Sequence, residues 1–267
     1  CLSLKFMTVK IAITNQKGGV GKTTTAVNLS ASLSAMKRKV LLVDLDPQAN
    51  ATTGSGLSKS EGEDGTYSAL MGLQEKQIKK SPNNYDVMTS GPGLIEAESR
   101  LRGMAESDGA LGRSLETHSH KYDYVIIDCP PSLNLLTING LRGAENLMVP
   151  MQCEYFALEG LAGLLETVDQ LNESTGHNLE LKAIVRTMYD PRNKLTQQVT
   201  NELSQHFNGV LYSTVIPRNV KLAEAPSFGR PVLKHEPNAK GALAYLALAG
   251  ELVSNMEDVF EEKVTSE

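Results

Sequence analysis

Apolar residues recur along this chain in two alternating rhythms. Runs that are apolar or β-branched at nearly every position, Val9–Thr14, Val40–Leu45, Tyr85–Thr89, Tyr122–Ile127, Asn146–Pro150, Leu179–Arg186 and Val210–Ile216, predict strands. Between them the spacing lengthens to the helical period over Lys22–Met36, Glu159–Glu173, Leu195–Phe207 and Ala239–Met256. On the last of these, Leu243, Leu246, Gly250, Val253 and Met256 form an apolar stripe expected to pack on the sheet. Strands with no polar face need cover on both sides, and strands separated by helices pair in parallel. The pattern therefore predicts an α/β fold, a doubly wound, mostly parallel sheet with helices on both faces, as one domain over residues 7–256. Ser55–Asn84, rich in Ser, Gly, Glu and Lys and weak in periodicity, is expected to be a surface excursion within it.

The first strand runs directly into Asn15-Gln16-Lys17-Gly18-Gly19-Val20-Gly21-Lys22-Thr23-Thr24. A glycine-rich turn between strand and helix aims successive backbone N–H groups at an anion, and the helix N-terminus adds partial positive charge. The generic phosphate-loop pattern asks for glycine where this chain has Gln16, but the remainder fits. Gly18, Gly19 and Gly21 allow close backbone approach, Lys22 can reach the β- and γ-phosphates, and the Thr23 hydroxyl can ligate Mg²⁺. ATP and Mg²⁺ are the predicted ligands of Gly18–Thr24, Val20 included. Because Lys22 already serves the phosphates, a second cation at Lys17 must point elsewhere.

Asp44-Leu45-Asp46-Pro47-Gln48 ends the second strand, where strand ends line the ligand crevice of a doubly wound sheet. Side chains alternate along a strand, so Asp44 and Asp46 share a side, and either can contact magnesium or an attacking water. The run from Tyr122 to Ser132 has the apolar-strand-then-aspartate form of a Walker B element, with Asp128 as the metal-side carboxylate. The metal candidates are thus Thr23, Asp46 and Asp128. The three cysteines, Cys1, Cys129 and Cys153, have no paired metal-ligand spacing, and Cys129 and Cys153 read as structural. Such a sparse set suggests a reducing compartment, the cytoplasm.

Lys17-Gly18-Gly19-Val20-Gly21-Lys22-Thr23 resembles the deviant Walker A motif of the ParA/MinD superfamily of P-loop NTPases. The likeness continues through Asp128–Ser132, Met151–Leu161, Arg186–Arg192 and Val215–Pro231, and is nearest to chromosomal ParA/Soj partition ATPases over Met7–Met256. The resemblance implies that Lys17 crosses a dimer interface to the partner's nucleotide, that Asp46 positions the hydrolytic water with Asp44 in support, and that Pro217, Arg218 and Asn219 lie by the adenine. Lys17, Lys22 and Asp46 are then the catalytic set. It also implies a slow Mg²⁺-dependent ATPase that forms a sandwich homodimer with ATP, binds double-stranded DNA non-specifically on the nucleoid, and is stimulated by a ParB-type centromere-binding partner.

Charge selects among the family's branches. Net charge is -5 with a pI near 5.6, so any DNA contact must be a local patch. Arg192, Lys194, Arg218 and Lys221 are the candidates, with Arg230, Lys234 and Lys240 nearby in sequence. The alternative, a MinD-like membrane-associated positioning ATPase, needs a basic amphipathic tail, whereas Glu257, Asp258, Glu261, Glu262 and Glu267 here surround a single Lys263. An anionic membrane would repel that tail, and co-sedimentation with liposomes against DNA discriminates the two. Residues before Met7 read as an upstream remnant, and no extension carrying an operator-reading helix-turn-helix is expected.

Overall fold

The computed structural model describes residues 7–60, 64–73 and 77–265, with side chains through Glu257. Residues 1–6, read from the sequence as a remnant, and the tail side chains beyond Glu257 lie outside the described residues. The strands are β1 (Val9–Ile13), β2 (Val40–Asp44), β3 (Lys79–Lys80), β4 (Asp86–Met88), β5 (Tyr124–Asp128), β6 (Asn146–Met151), β7 (Glu180–Tyr189) and β8 (Leu211–Pro217). They form one sheet in the order β3-β4-β2-β5-β1-β6-β7-β8. All neighbours pair in parallel except β3 with β4, an antiparallel edge too short to leave a pattern in the sequence.

The helices are α1 (Lys22–Ala35), α2 (Asn50–Gly54), α3 (Thr66–Leu70), α4 (Gly93–Leu101), α5 (Ala110–His118), α6 (Leu135–Arg142), α7 (Ala157–Thr175), α8 (Lys194–His206), α9 (Val220–Glu224), α10 (Val232–His235) and α11 (Lys240–Thr265). Successive strand residues face opposite ways, and the core divides accordingly. Leu41, Val43, Val125 and Ile127 join a cluster with α3 to α8, while Leu42, Tyr124 and Ile126 join one with α1, α10 and α11. The doubly wound prediction holds.

Two expectations are corrected. The excursion after Ser55 is not all surface: Thr66–Leu70 is a buried helical turn, its Tyr67 and Leu70 2–3% exposed, too short to display a helical period. The α11 stripe is also partly displaced: Met256 is buried and Val253 packs against the core as expected, but Leu243 and Gly250 face outward. Ala242, Tyr245, Ala249, Leu252 and Met256 are buried, while Leu243 is 55% exposed. Gly241 packs so tightly on Leu222 that a Cβ there would come within 2.6 Å of its side chain, a close approach that fixes the helix's rotation. At the other end of α11, Glu257 accepts two hydrogen bonds from Arg38, at 2.9 and 2.7 Å, and one from the Tyr124 hydroxyl at 3.0 Å. Among the described residues no helix is long and apolar enough to cross a membrane.

Candidate nucleotide site

The site forms where β1, β2 and β5 end together. Register places Ile13 and Asp44 on either side of Asp128, so the phosphate loop and both acidic strand ends converge. Gly19 and Gly21 adopt φ of 77° and 92°, a left-handed backbone that other side chains rarely accept, and Gly21 caps the start of α1. The loop is held from β7: the Thr187 hydroxyl donates to the Val20 carbonyl at 2.7 Å, with its methyl against Gly21. Lys22 opens α1, largely buried, its ammonium donating to the Lys17 carbonyl at 3.0 Å. Burial lowers its pKa, and Asp128, Cys129 and Asp46 pull it partly back.

The three carboxylates differ sharply in what they touch. Asp128 is fully buried, and among the described residues neither of its oxygens has a hydrogen-bond partner. Burial, then Asp44, pushes its pKa well above the carboxylate range; the Thr23 hydroxyl opposes this from nearby without making a bond of ordinary geometry. An unpaired buried carboxylate beside a threonine hydroxyl suits a hard divalent cation, which would offset the desolvation. Asp44 is equally buried but fully engaged: Oδ2 accepts from the Thr52 N–H and hydroxyl, both at 2.7 Å, and Oδ1 from the Asp46 N–H at 3.1 Å. Burial lifts its pKa to about 6 against those bonds. The carboxylate of Asp46, half-buried, accepts only the Gln48 N–H at 2.9 Å among the described residues, and its side chain stands beyond the strand end.

Lys17 turns away from its own loop, its ammonium ion-paired with Glu154 between β6 and α7. Beside the loop lies a cavity of about 190 Å³ lined by Gly21, Thr24, Pro217, Arg218 and Asn219, with Met188, Ile216, Leu222 and Tyr245 as its apolar walls. The Asn219 side-chain oxygen caps α9 by accepting the Lys221 N–H at 3.1 Å, leaving its amide nitrogen as a donor. Met188 holds φ at 48°, a conformation that costs a non-glycine residue on the order of 1 kcal/mol.

Residues 8–183 match a protein-family model described as an AAA domain. Over 92% of this chain and 98% of the relative, the sequence is 46% identical to the sporulation initiation inhibitor protein Soj of Bacillus subtilis. Over 93% and 95% it is 44% identical to the chromosome partitioning protein ParA of Caulobacter vibrioides. The chain belongs to the ParA/Soj family. Among solved structures it is similar to cobyrinic acid a,c-diamide synthase of Mycobacterium smegmatis with bound ADP and magnesium, at TM-score 0.81 and 32% identity over 94% of this chain and 96% of that one. This ParA/Soj protein is a partitioning ATPase that uses ATP and Mg²⁺.

The basic candidates of this ParA/Soj chain follow β7 and β8, Arg192 and Arg218 on the loops and Lys194 and Lys221 in the first turns of α8 and α9. Arg192 makes a two-pronged contact to Asp190 at 2.9 and 2.8 Å, which pulls the Asp190 pKa down to about 2. Lys221 pairs with Glu224 at 2.8 Å, and His235 shares that carboxylate at 3.7 Å. Lys194 and Arg218 have no ion pair among the described residues. Cys129 and Cys153 are buried and unpaired, their thiol pKa values pushed up by burial. Sequence reasoning missed Thr187, Met188 and Tyr245 as walls of the site, and Thr52 as the partner of Asp44. Only the position of Thr187 and Met188 near the carboxyl end of a predicted strand could have flagged them.

Proposed function

We propose that this ParA/Soj ATPase is an ATP-timed switch, in which two copies pair face to face over their phosphate loops and the pair binds double-stranded DNA without regard to sequence. The observation that carries the reading is the division of labour between two lysines. Lys22 fills the space over its own loop, whereas Lys17 projects from it toward the surface and is held by an exposed carboxylate it can exchange for a phosphate. A cation placed there can complete the charge around a nucleotide on a facing chain.

Within one chain, Gly18–Thr24 cradle the phosphates, Lys22 neutralises charge that develops on the γ-phosphoryl group, and the cavity beside Pro217–Asn219 receives the base. Thr23 and Asp128 would hold Mg²⁺, which would supply positive charge to offset the charge of the phosphates. Asp46, the carboxylate with an oxygen to spare, orients the attacking water. Positioning supplies most of the acceleration, so turnover is slow until a ParB-type partner completes the geometry. Arg192, Lys194, Arg218 and Lys221 then face DNA, doubled by pairing, and release follows hydrolysis. The place of action is the nucleoid.

Light scattering tests the first step. Wild-type protein doubles in mass with ATP and Mg²⁺ and stays a monomer with ADP, while Lys17→Ala stays a monomer with both. A Lys17→Ala protein that pairs normally would overturn the role given to that lysine.

A further inference from the structure

Asp46 lies past the end of β2, so the strand ladder does not fix it. The residues that do fix it come from elsewhere in the chain. Ser90, after β4 and 1% exposed, donates its hydroxyl to the Asp46 carbonyl at 2.5 Å. Its own N–H donates to the Thr52 hydroxyl at 2.9 Å, and that hydroxyl donates to Asp44. The chain of bonds closes on itself, because the other Asp44 oxygen accepts the Asp46 N–H. Asp46 is thus held at both ends of its peptide, through N–H and C=O, while its carboxylate stays unencumbered at one oxygen.

The loop carrying Ser90 is itself clamped. The Ser60 N–H donates to the Ser90 carbonyl at 2.7 Å, and the Thr66 N–H donates to the Thr89 carbonyl at 2.9 Å. A Cβ at the next residue, Gly91, would fall 2.2 Å from the Ser60 carbonyl oxygen, so this stretch is packed against the Ser60 segment without slack. The Ser90 hydroxyl and N–H, the Thr52 hydroxyl and both Asp44 oxygens each have a partner inside the ring, which makes the ring a rigid support.

We infer that Ser90 is a positioning residue for ATP hydrolysis, holding the Asp46 backbone so that its carboxylate faces the γ-phosphate. The inference rests on the reading that Asp46 orients the attacking water. A hydroxyl acting this way governs the rate of the chemical step and leaves nucleotide affinity alone, since Ser90 touches neither the phosphate loop nor the base cavity. Without it the Asp46 carbonyl keeps the Ala49 N–H at 2.8 Å, so the loop persists but loses its anchor to the sheet side.

Steady-state turnover and ATP affinity are measured for wild type, Ser90→Ala and Asp46→Asn. The expected result is that Ser90→Ala lowers kcat by about 10- to 100-fold with ATP affinity and thermal midpoint near wild type, while Asp46→Asn loses turnover more completely. Unchanged kcat in Ser90→Ala beside an inactive Asp46→Asn overturns the positioning role and leaves the Asp46 reading standing. Full turnover in Asp46→Asn removes that reading, and this inference with it. A parallel loss of affinity and kcat in Ser90→Ala shows a merely structural serine. Should that variant not fold, Ser90→Thr, which keeps the hydroxyl, takes its place: near-native turnover supports the role, and lost turnover with intact affinity contradicts it.

Discussion

Lys17 and Glu154 are ion-paired within one chain, 137 residues apart in sequence, across the gap between the phosphate loop and the loop after β6. Both side chains are half exposed, so the pair is screened by water and each partner is free to change hands. If Lys17 serves a facing nucleotide, Glu154 competes for it in the unpaired chain. Glu154→Gln should therefore tighten ATP-dependent pairing by a few-fold, the scale of an exposed ion pair. Sedimentation of wild type and variant across protein concentration reads this; equal pairing constants would assign Glu154 no part in the switch.

The arginine proposed to face DNA carries its own counter-charge. Arg192 bound to Asp190 must either leave it or bring a carboxylate toward the phosphates. Asp190→Asn is expected to raise ATP-dependent DNA affinity and steepen its fall with salt by about one phosphate contact. Arg192→Glu with Lys194→Glu should abolish DNA retention and spare ATP binding. Retention by that double variant would place the DNA surface elsewhere.

Thr187 ties β7 to the phosphate loop through the Val20 carbonyl. Thr187→Val keeps the shape but leaves that buried carbonyl without its donor, at about 1–3 kcal/mol. If this loop cradles the phosphates as proposed, ATP affinity should fall roughly tenfold, measurable by a fluorescent nucleotide; wild-type affinity would show that the loop needs no such tie.

Glu257 fastens the last helix to the sheet by two bonds from Arg38 and one from Tyr124. Its side chain is 25% exposed, so part of its charge is desolvated. Glu257→Ala should cost about 1–2 kcal/mol in urea unfolding, more than an exposed pair yields. A change within error would mean that water replaces the carboxylate there.

The placement of the glycine-rich loop and of Asp128 was legible in the sequence because each comes at the end of a strand, with nothing needed from afar. The separate fates of Asp44 and Asp46 were not. Strand alternation puts them alike, and only the Thr52 hydroxyl, eight residues on, and the Ser90 hydroxyl, 44 residues from Asp46, set them apart. The α11 stripe went astray for a related reason. A shift of one position turns the buried face of a helix by about 100°, and the contact that settles it, Gly241 against Leu222, depends on a different element. Tyr245 lies in that buried face and also walls the base cavity, so the same offset hid it as a site residue.

DNA retention with ADP, with ATP, and with ATP for Lys17→Ala tests the central claim most directly, because it joins nucleotide state, pairing and DNA in one readout. The account predicts retention of wild type with ATP alone, lost with ADP and lost in Lys17→Ala. Equal retention in all three, or none with ATP at low salt, would contradict it.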